Sequence, residues 1–269
     1  MMGKLAIVFA GQGSQFLGMG LDFASYNQQT QEKLNQASKL LGYDVKHVLL
    51  SEHGEMNQTV FTQPLMFLAT TFAYDELIKL TSSIEGVIGF SLGEYSAYYA
   101  SEVFSFENLL KIVKQRAEFM DQTAQKYPGK MAAIMGLDSK IVDEICQSIE
   151  DGIVVSANYN SPIQTVISGD EKAVEKACEL SKQKGAKRAM LLNVSGAFHS
   201  PLMKEAGENL FEYLKDVKPS AAKLPIYLNT TSQVLVFETL KDEMRKQVFS
   251  PVLFEQSIRN MESDGFTHF

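Results

Sequence analysis

Residues 86–97 read GVIGFSLGEYSA, an apolar run that meets a single serine and turns at once into a helical pattern. A short apolar run bounded by glycine predicts a buried strand, and the residues after Ser91 predict a helix over about 92–100. Gly89-Phe90-Ser91-Leu92-Gly93 fits G-x-S-x-G, in which the serine occupies a strained strand-to-helix turn. A reversal this tight brings backbone against backbone, and residues without side chains remove the clash. The turn lifts Ser91 Oγ into solvent and points the Leu92 N–H, at a helix N-terminus, toward any developing anion. Ser91 is the candidate nucleophile, and Leu92 N–H is a candidate oxyanion donor.

Working outward, KLAIVFA (4–10) reads as a buried strand and GQGSQFLGMG (11–20) as a glycine-rich turn. Residues 28–41 are helix-like, and 62–80 predict a strongly apolar helix with Pro64 in its first turn. Ser105 caps a further helix that runs through FENLLKIVKQRAEFMDQTAQ. Strand and helix alternate, which predicts a mostly parallel sheet covered on both faces.

The style changes at Tyr127-Pro128-Gly129. From there the order is strand, helix (139–149), strand, strand, helix (171–185), strand, the split order β-α-β-β-α-β. The expectation is a small ferredoxin-like domain at 127–193, inserted into a larger α/β domain made of 1–126 and 194–269. After the insert, Ser200-Pro201 opens a helix with Leu202, Ala206, Leu210 and Leu214 on one face. LPIYLNT (224–230) predicts a strand, a helix ends near SPVLFEQSI (250–258), and GFTHF (265–269) begins another strand.

At 269 residues and 45% hydrophobic content, the chain can bury a large α/β core. No apolar stretch is long enough to span a bilayer, and no small-residue cleavage site follows LAIVFA, so a soluble cytoplasmic protein without a membrane role is expected. A net charge of −7 argues against a nucleic-acid binder. The two cysteines, Cys146 and Cys178, lack a paired-ligand spacing, so neither a disulfide framework nor a metal site is expected. Lys182, Lys184, Lys187 and Arg188, with Lys204, read either as a solvated helix end or as a docking patch for an acidic partner.

A serine needs a base to take its proton. Of four histidines, His47 and His53 lie in polar surroundings and His268 is penultimate, whereas His199 sits in NVSGAFHSPLM, in a loop after a strand. Arg116 shares a helical face with Leu109, Val113 and Met120, and an inward guanidinium demands an anion. That anion is either an internal carboxylate, with Glu94 the candidate, or a substrate carboxylate held by both prongs of the fork. The GQGSQ loop lacks the third glycine and the Gly-Lys-Ser/Thr of nucleotide-binding loops. It can instead close over Ser91, with Gln12 at its tip as a second oxyanion donor.

GQGSQ, GFSLGEYSA, an arginine twenty-five positions after the serine, and GAFHSPLM, in that order, closely resemble malonyl-CoA:acyl carrier protein transacylases and the acyltransferase domains of polyketide synthases. The resemblance runs from about Lys4 to Phe269. It implies an α/β-hydrolase-like large domain with a parallel sheet and a ferredoxin-like insert. It also implies transfer of malonyl from malonyl-CoA through a Ser91 ester to the phosphopantetheine thiol of acyl carrier protein in fatty acid biosynthesis, without a cofactor. His199 would be the general base and acid, Arg116 the carboxylate receptor, and Gln12 with Leu92 N–H the oxyanion hole. Gln247 in QVFSPV matches the position whose carbonyl orients the histidine, Asn160 in NYNSP a residue lining the cleft, and Phe198 a ring that leaves little room for an α-methyl branch. Phe90 stands where many members have histidine, which implies altered packing rather than lost activity. Members also continue past GFTHF with a strand, a Gly-Pro-Gly turn and a last helix. Three other readings remain: a stand-alone polyketide acyltransferase, an acyl hydrolase using the same dyad, and a non-catalytic sensor of malonyl-CoA.

Overall fold

The computed structural model describes residues 3–81 and 83–269. Strand β1 (Lys4–Phe9) leads through the glycine-rich turn into α1 (Leu21–Tyr26), α2 (Gln28–Leu41), α3 (Val45–Leu50) and α4 (Thr59–Leu77). Strand β2 (Ile84–Gly89) turns at Ser91 into α5 (Gly93–Ala100), which α6 (Phe106–Lys126) follows. The middle of the chain is β3 (Lys130–Met135), α7 (Ser139–Gln147), β4 (Val154–Ser161), β5 (Gln164–Gly169), α8 (Glu171–Gln183) and β6 (Arg188–Leu191). The last part is α9 (Lys204–Leu214), β7 (Ile226–Tyr227), α10 (Leu240–Gln247), α11 (Phe254–Ser263) and β8 (Phe266–His268).

Two sheets result. β7-β2-β1-β8 is parallel throughout, and β4-β5-β3-β6 is antiparallel throughout. In the first, Val87 and Ile88 are both fully buried yet belong to different clusters, because successive strand side chains face opposite ways. Val87 packs into the main core with residues of α4, α5 and α6, while Ile88 joins Ala6, Met261 and Phe266 on the other face. The sheet is therefore covered on both sides, and apolar burial at about 25 cal/mol per Å² drives both layers together.

The antiparallel sheet divides its residues the same way. Ala132, Ile134 and Ile167 pack with Val142, Ile145 and Val174 of α7 and α8, whereas Met131, Ala133 and Val166 turn toward the main core. β4 of this sheet is tied to the segment between α10 and α11, where Val252 N–H donates to Ala157 O at 2.8 Å and Tyr159 N–H donates to Val252 O at 2.9 Å. Between the two sheets lies a cleft of about 240 Å³.

Three elements differ from the sequence reading. Helix α4 begins at Thr59, so Pro64 lies in its second turn rather than its first. A proline there removes one backbone bond, and near-complete burial of 59–68 outweighs that loss. The strand in 224–230 keeps only Ile226–Tyr227, because Leu228 enters a turn closed by Leu228 N–H to Gln233 O at 2.9 Å. The helix near 250–258 is two helices, α10 ending at Gln247 and α11 starting at Phe254, with Pro251 unable to continue the first.

Candidate active site

The elbow forms because its glycines occupy space that no side chain can share. A Cβ on Gly89 would lie 1.9 Å from the Gly93 carbonyl carbon, and one on Gly93 would lie 2.3 Å from Phe9 O of β1. Ser91 takes φ 50°, the left-handed region, which costs a non-glycine residue on the order of 1–3 kcal/mol unless its surroundings hold it there. They do: Ser91 N–H donates to Asn229 Oδ1 at 2.7 Å, and Gln247 Nε2 donates to Ser91 O at 2.6 Å. The Leu92 N–H has no hydrogen-bond acceptor among the described residues, and Leu92 helps to line the cleft.

His199 arrives from the loop after β6 and also adopts a left-handed φ, 56°. Its Nε2 is 2.7 Å from Ser91 Oγ. Its Nδ1 is 2.9 Å from Gln247 O and 3.2 Å from Ser250 O. Two carbonyls can only accept, so the Nδ1 carries the proton and Nε2 is left as the basic nitrogen facing the serine. Among the described residues no carboxylate completes a triad. Burial, reinforced by the Arg116 charge, lowers the His199 pKa to about 4, which keeps the imidazole neutral at pH 7.

Arg116, at 1% exposure, is the largest fully buried side chain among the described residues. The internal salt bridge to Glu94 is not formed. One guanidinium prong donates to Gln63 Oε1 and the other to Gln247 Oε1 at 3.1 Å, while Nε has no partner. Its carbon lies 5.2 Å from the Tyr95 ring centroid. Glu94 is instead held by Tyr98 O–H at 2.6 Å and Asn229 N–H at 2.7 Å. Burial raises the Glu94 pKa to about 7 against those donors. Neutral amides thus fix the direction of Arg116 without cancelling its charge, and the side chain lines the cleft beside Ser91.

The remaining sequence-predicted residues fall into the same cleft. Gln12 lines it, with its side-chain oxygen accepting from Thr59 Oγ1 at 3.2 Å. Phe198, Asn160 and Phe90 also line it; the Phe90 ring packs edge-on against Phe254 at 5.4 Å. Asn160 Oδ1 is buried with no hydrogen-bond partner among the described residues. His47, His53 and His268 are exposed elsewhere. Lys182, Lys184, Lys187, Arg188 and Lys204 are exposed, and none forms an ion pair among the described residues.

Sequence reasoning missed Asn229, Gln63 and Ser250, and gave Gln247 only its carbonyl. The Gln247 side chain also joins Ser91 O to Arg116. Gln63 is further held through Nε2, which donates to Thr59 Oγ1 at 2.9 Å. Gln63 carried one usable signal: an amide directly before proline inside the apolar 62–80 stretch, a polar group that burial obliges to find a partner.

Residues 6–268 match the family described as the acyl transferase domain. The malonyl CoA-acyl carrier protein transacylase of Staphylococcus aureus (strain MSSA476) is 39% identical over 272 residues, spanning 100% of this chain and 88% of that protein. The crystal structure of MCAT from Streptococcus pneumoniae superposes with a TM-score of 0.92 at 38% identity, covering 98% of this chain and 87% of that one. A type II PKS acyl-carrier protein in complex with its malonyl-transacylase contains a chain that aligns at TM-score 0.93 and 31% identity, with 98% and 86% covered. With the whole cleft inside the matched span, and both sheets shared with those structures, the chain belongs to the acyl transferase domain family.

Proposed function

We propose that this protein transfers a malonyl group from malonyl-CoA to the phosphopantetheine thiol of acyl carrier protein in fatty acid biosynthesis. The observation that carries the reading is a buried arginine without an anionic partner, in the same cleft as a serine hydroxyl 2.7 Å from a neutral imidazole. His199 Nε2 accepts the Ser91 proton as Oγ adds to the thioester carbonyl, and the oxyanion is received by Leu92 N–H and Gln12. The imidazolium, steadied by the Gln247 and Ser250 carbonyls, returns that proton to the departing CoA sulfur. The carrier thiol then loses its proton to His199 and attacks the Ser91 ester, reversing the sequence. Arg116 grips the malonyl carboxylate throughout, and Phe198 limits bulk at the α-carbon.

The carrier complex of the polyketide relative supports a second setting for the same chemistry, a carrier protein of polyketide synthesis. Two free, buried cysteines suit a reducing compartment, which supports the cytoplasm, and no helix among the described residues is long and apolar enough to cross a membrane. The test is intact mass. Mixing with malonyl-CoA should add one malonyl group, absent in Ser91→Ala, and adding acyl carrier protein should discharge it onto the carrier thiol. Discharge at the same rate by buffer alone would replace the transferase by a hydrolase.

A further inference from the structure

Asn229 lies in the turn after β7 and is fully buried. Each of its polar groups is used. Its Oδ1 accepts from Ser91 N–H and its Nδ2 donates to Gly89 O, both at 2.7 Å. Its backbone N–H donates to Glu94 Oε2 at 2.7 Å, and its carbonyl accepts from Leu253 N–H at 2.9 Å. One carboxamide therefore spans the elbow from the last residue of β2 to the nucleophile, and Glu94, one turn further on in α5, anchors the residue that does so.

We propose that Asn229 is the positioning residue of the nucleophile elbow, holding Ser91 in the left-handed conformation that directs Oγ at His199. The inference deepens the transferase reading and rests on Ser91 being the nucleophile. Without the clamp, a serine at φ 50° relaxes toward the ordinary regions of backbone space, and Oγ leaves the line to Nε2. The clamp also has a chemical consequence. Because it occupies the Ser91 N–H, the elbow is left with the Leu92 N–H as its donor to an oxyanion.

The experiment follows intact mass with time for the wild-type chain, Asn229→Ala and Asn229→Asp, first with malonyl-CoA and then with an alkyl fluorophosphonate. The latter phosphonylates activated serines and carries no carboxylate for Arg116. The readout is the rate constant of adduct growth, because misfolded molecules lower the final amount and leave the rate constant of the rest unchanged. Asn229→Ala should slow both reactions by about a hundredfold, the usual effect of misplacing a reacting atom by about an ångström. Asn229→Asp keeps an acceptor for Ser91 N–H but loses the donor to Gly89 O, and should slow both by about tenfold. The KM for malonyl-CoA should stay within about twofold, since Asn229 does not line the cleft. Wild-type rate constants in either variant, at whatever amplitude, would overturn the proposal. If the alanine variant does not fold, the near-isosteric aspartate variant decides alone. Phosphonylation of the wild-type chain without malonyl uptake would sink the malonyl reading and still leave the clamp to be judged by the phosphonylation rates.

Discussion

Lys33 and Arg116 both lie against tyrosine rings, 5.3 Å from the Tyr99 centroid and 5.2 Å from that of Tyr95, yet they are built for opposite ends. Lys33 meets Asp75 at 2.5 Å and Tyr99 O–H at 2.7 Å, and Tyr99 in turn donates to Asp75 at 2.8 Å. Its charge is answered inside the fold. Arg116 is more deeply buried, so it needs an anion more, and it receives only two amide oxygens. A buried cation left this way costs stability on the order of several kcal/mol, which a folding-only role gives no reason to retain. Lys33 thus holds two helices through an ion pair, whereas Arg116 is left free for the substrate carboxylate that the proposed function requires of it.

Four experiments put that contrast at risk. Arg116→Ala should cut malonyl loading of Ser91 by roughly a hundredfold or more while acetyl loading changes only severalfold, as expected when two charge-assisted bonds to one substrate are removed. Comparable losses for both acyl groups would make Arg116 another structural cation.

The second uses the field that an unanswered charge creates. Burial first, and then Arg116, depress the His199 pKa to about 4 from the ordinary 6.5. Between those values the unfolded chain takes up a proton that the folded chain refuses, so stability is complete above pH 6.5 and is lost as pH falls toward 4. The difference in unfolding free energy between wild type and His199→Ala should therefore rise by on the order of 3 kcal/mol from pH 4 to pH 6.5. Chemical denaturation of the two proteins at both pH values measures it, and a flat difference would mean that the imidazole is not desolvated. In Arg116→Gln the rise should be smaller and begin at a higher pH, because the folded pKa moves up toward the unchanged unfolded value of 6.5.

The third concerns cations that lack a carboxylate but stand in water. Charge reversal at Lys187 and Arg188 should slow transfer to acyl carrier protein about fivefold at low salt, mostly through the association rate, while malonyl exchange with CoA is unchanged. Equal carrier rates at low and high salt would return the pair to the reading of a solvated helix end. The smallest effect is expected at the answered cation: Lys33→Met should lower stability by about 1 kcal/mol or less and leave the malonyl-to-acetyl ratio untouched. A change in that ratio would erase the distinction drawn between the two sites.

Much of this was legible before the structure. The elbow could be read because most of its determinants are local: a strand period, a helix period, and two glycines around the serine, Gly89 closing against the Gly93 backbone and Gly93 against Phe9 of β1. Arg116 could be read as inward from its helical face alone, but not which partner it had, and the candidate carboxylate, Glu94 of α5, serves Tyr98 and Asn229 instead. His199 stood out by elimination among four histidines. The short β7 was harder to see, since it ends at a turn closed by the Leu228 N–H bond to Gln233 O, whereas the break before α11 had a local signal in Pro251.

The alternation of elements, the strand-turn-helix at Ser91, and the candidate serine, histidine and arginine could be read from the chain alone. Those follow from periodicity and from the geometry of neighbouring residues. Which group holds which became known from the folded chain: Asn229 is 138 positions from Ser91, and the Gln247 side chain reaches Ser91 O across 156. Hydrogen bonds over such separations are set by the packing of two sheets and the helices on them, and no local pattern encodes which buried amide will find which orphaned backbone group.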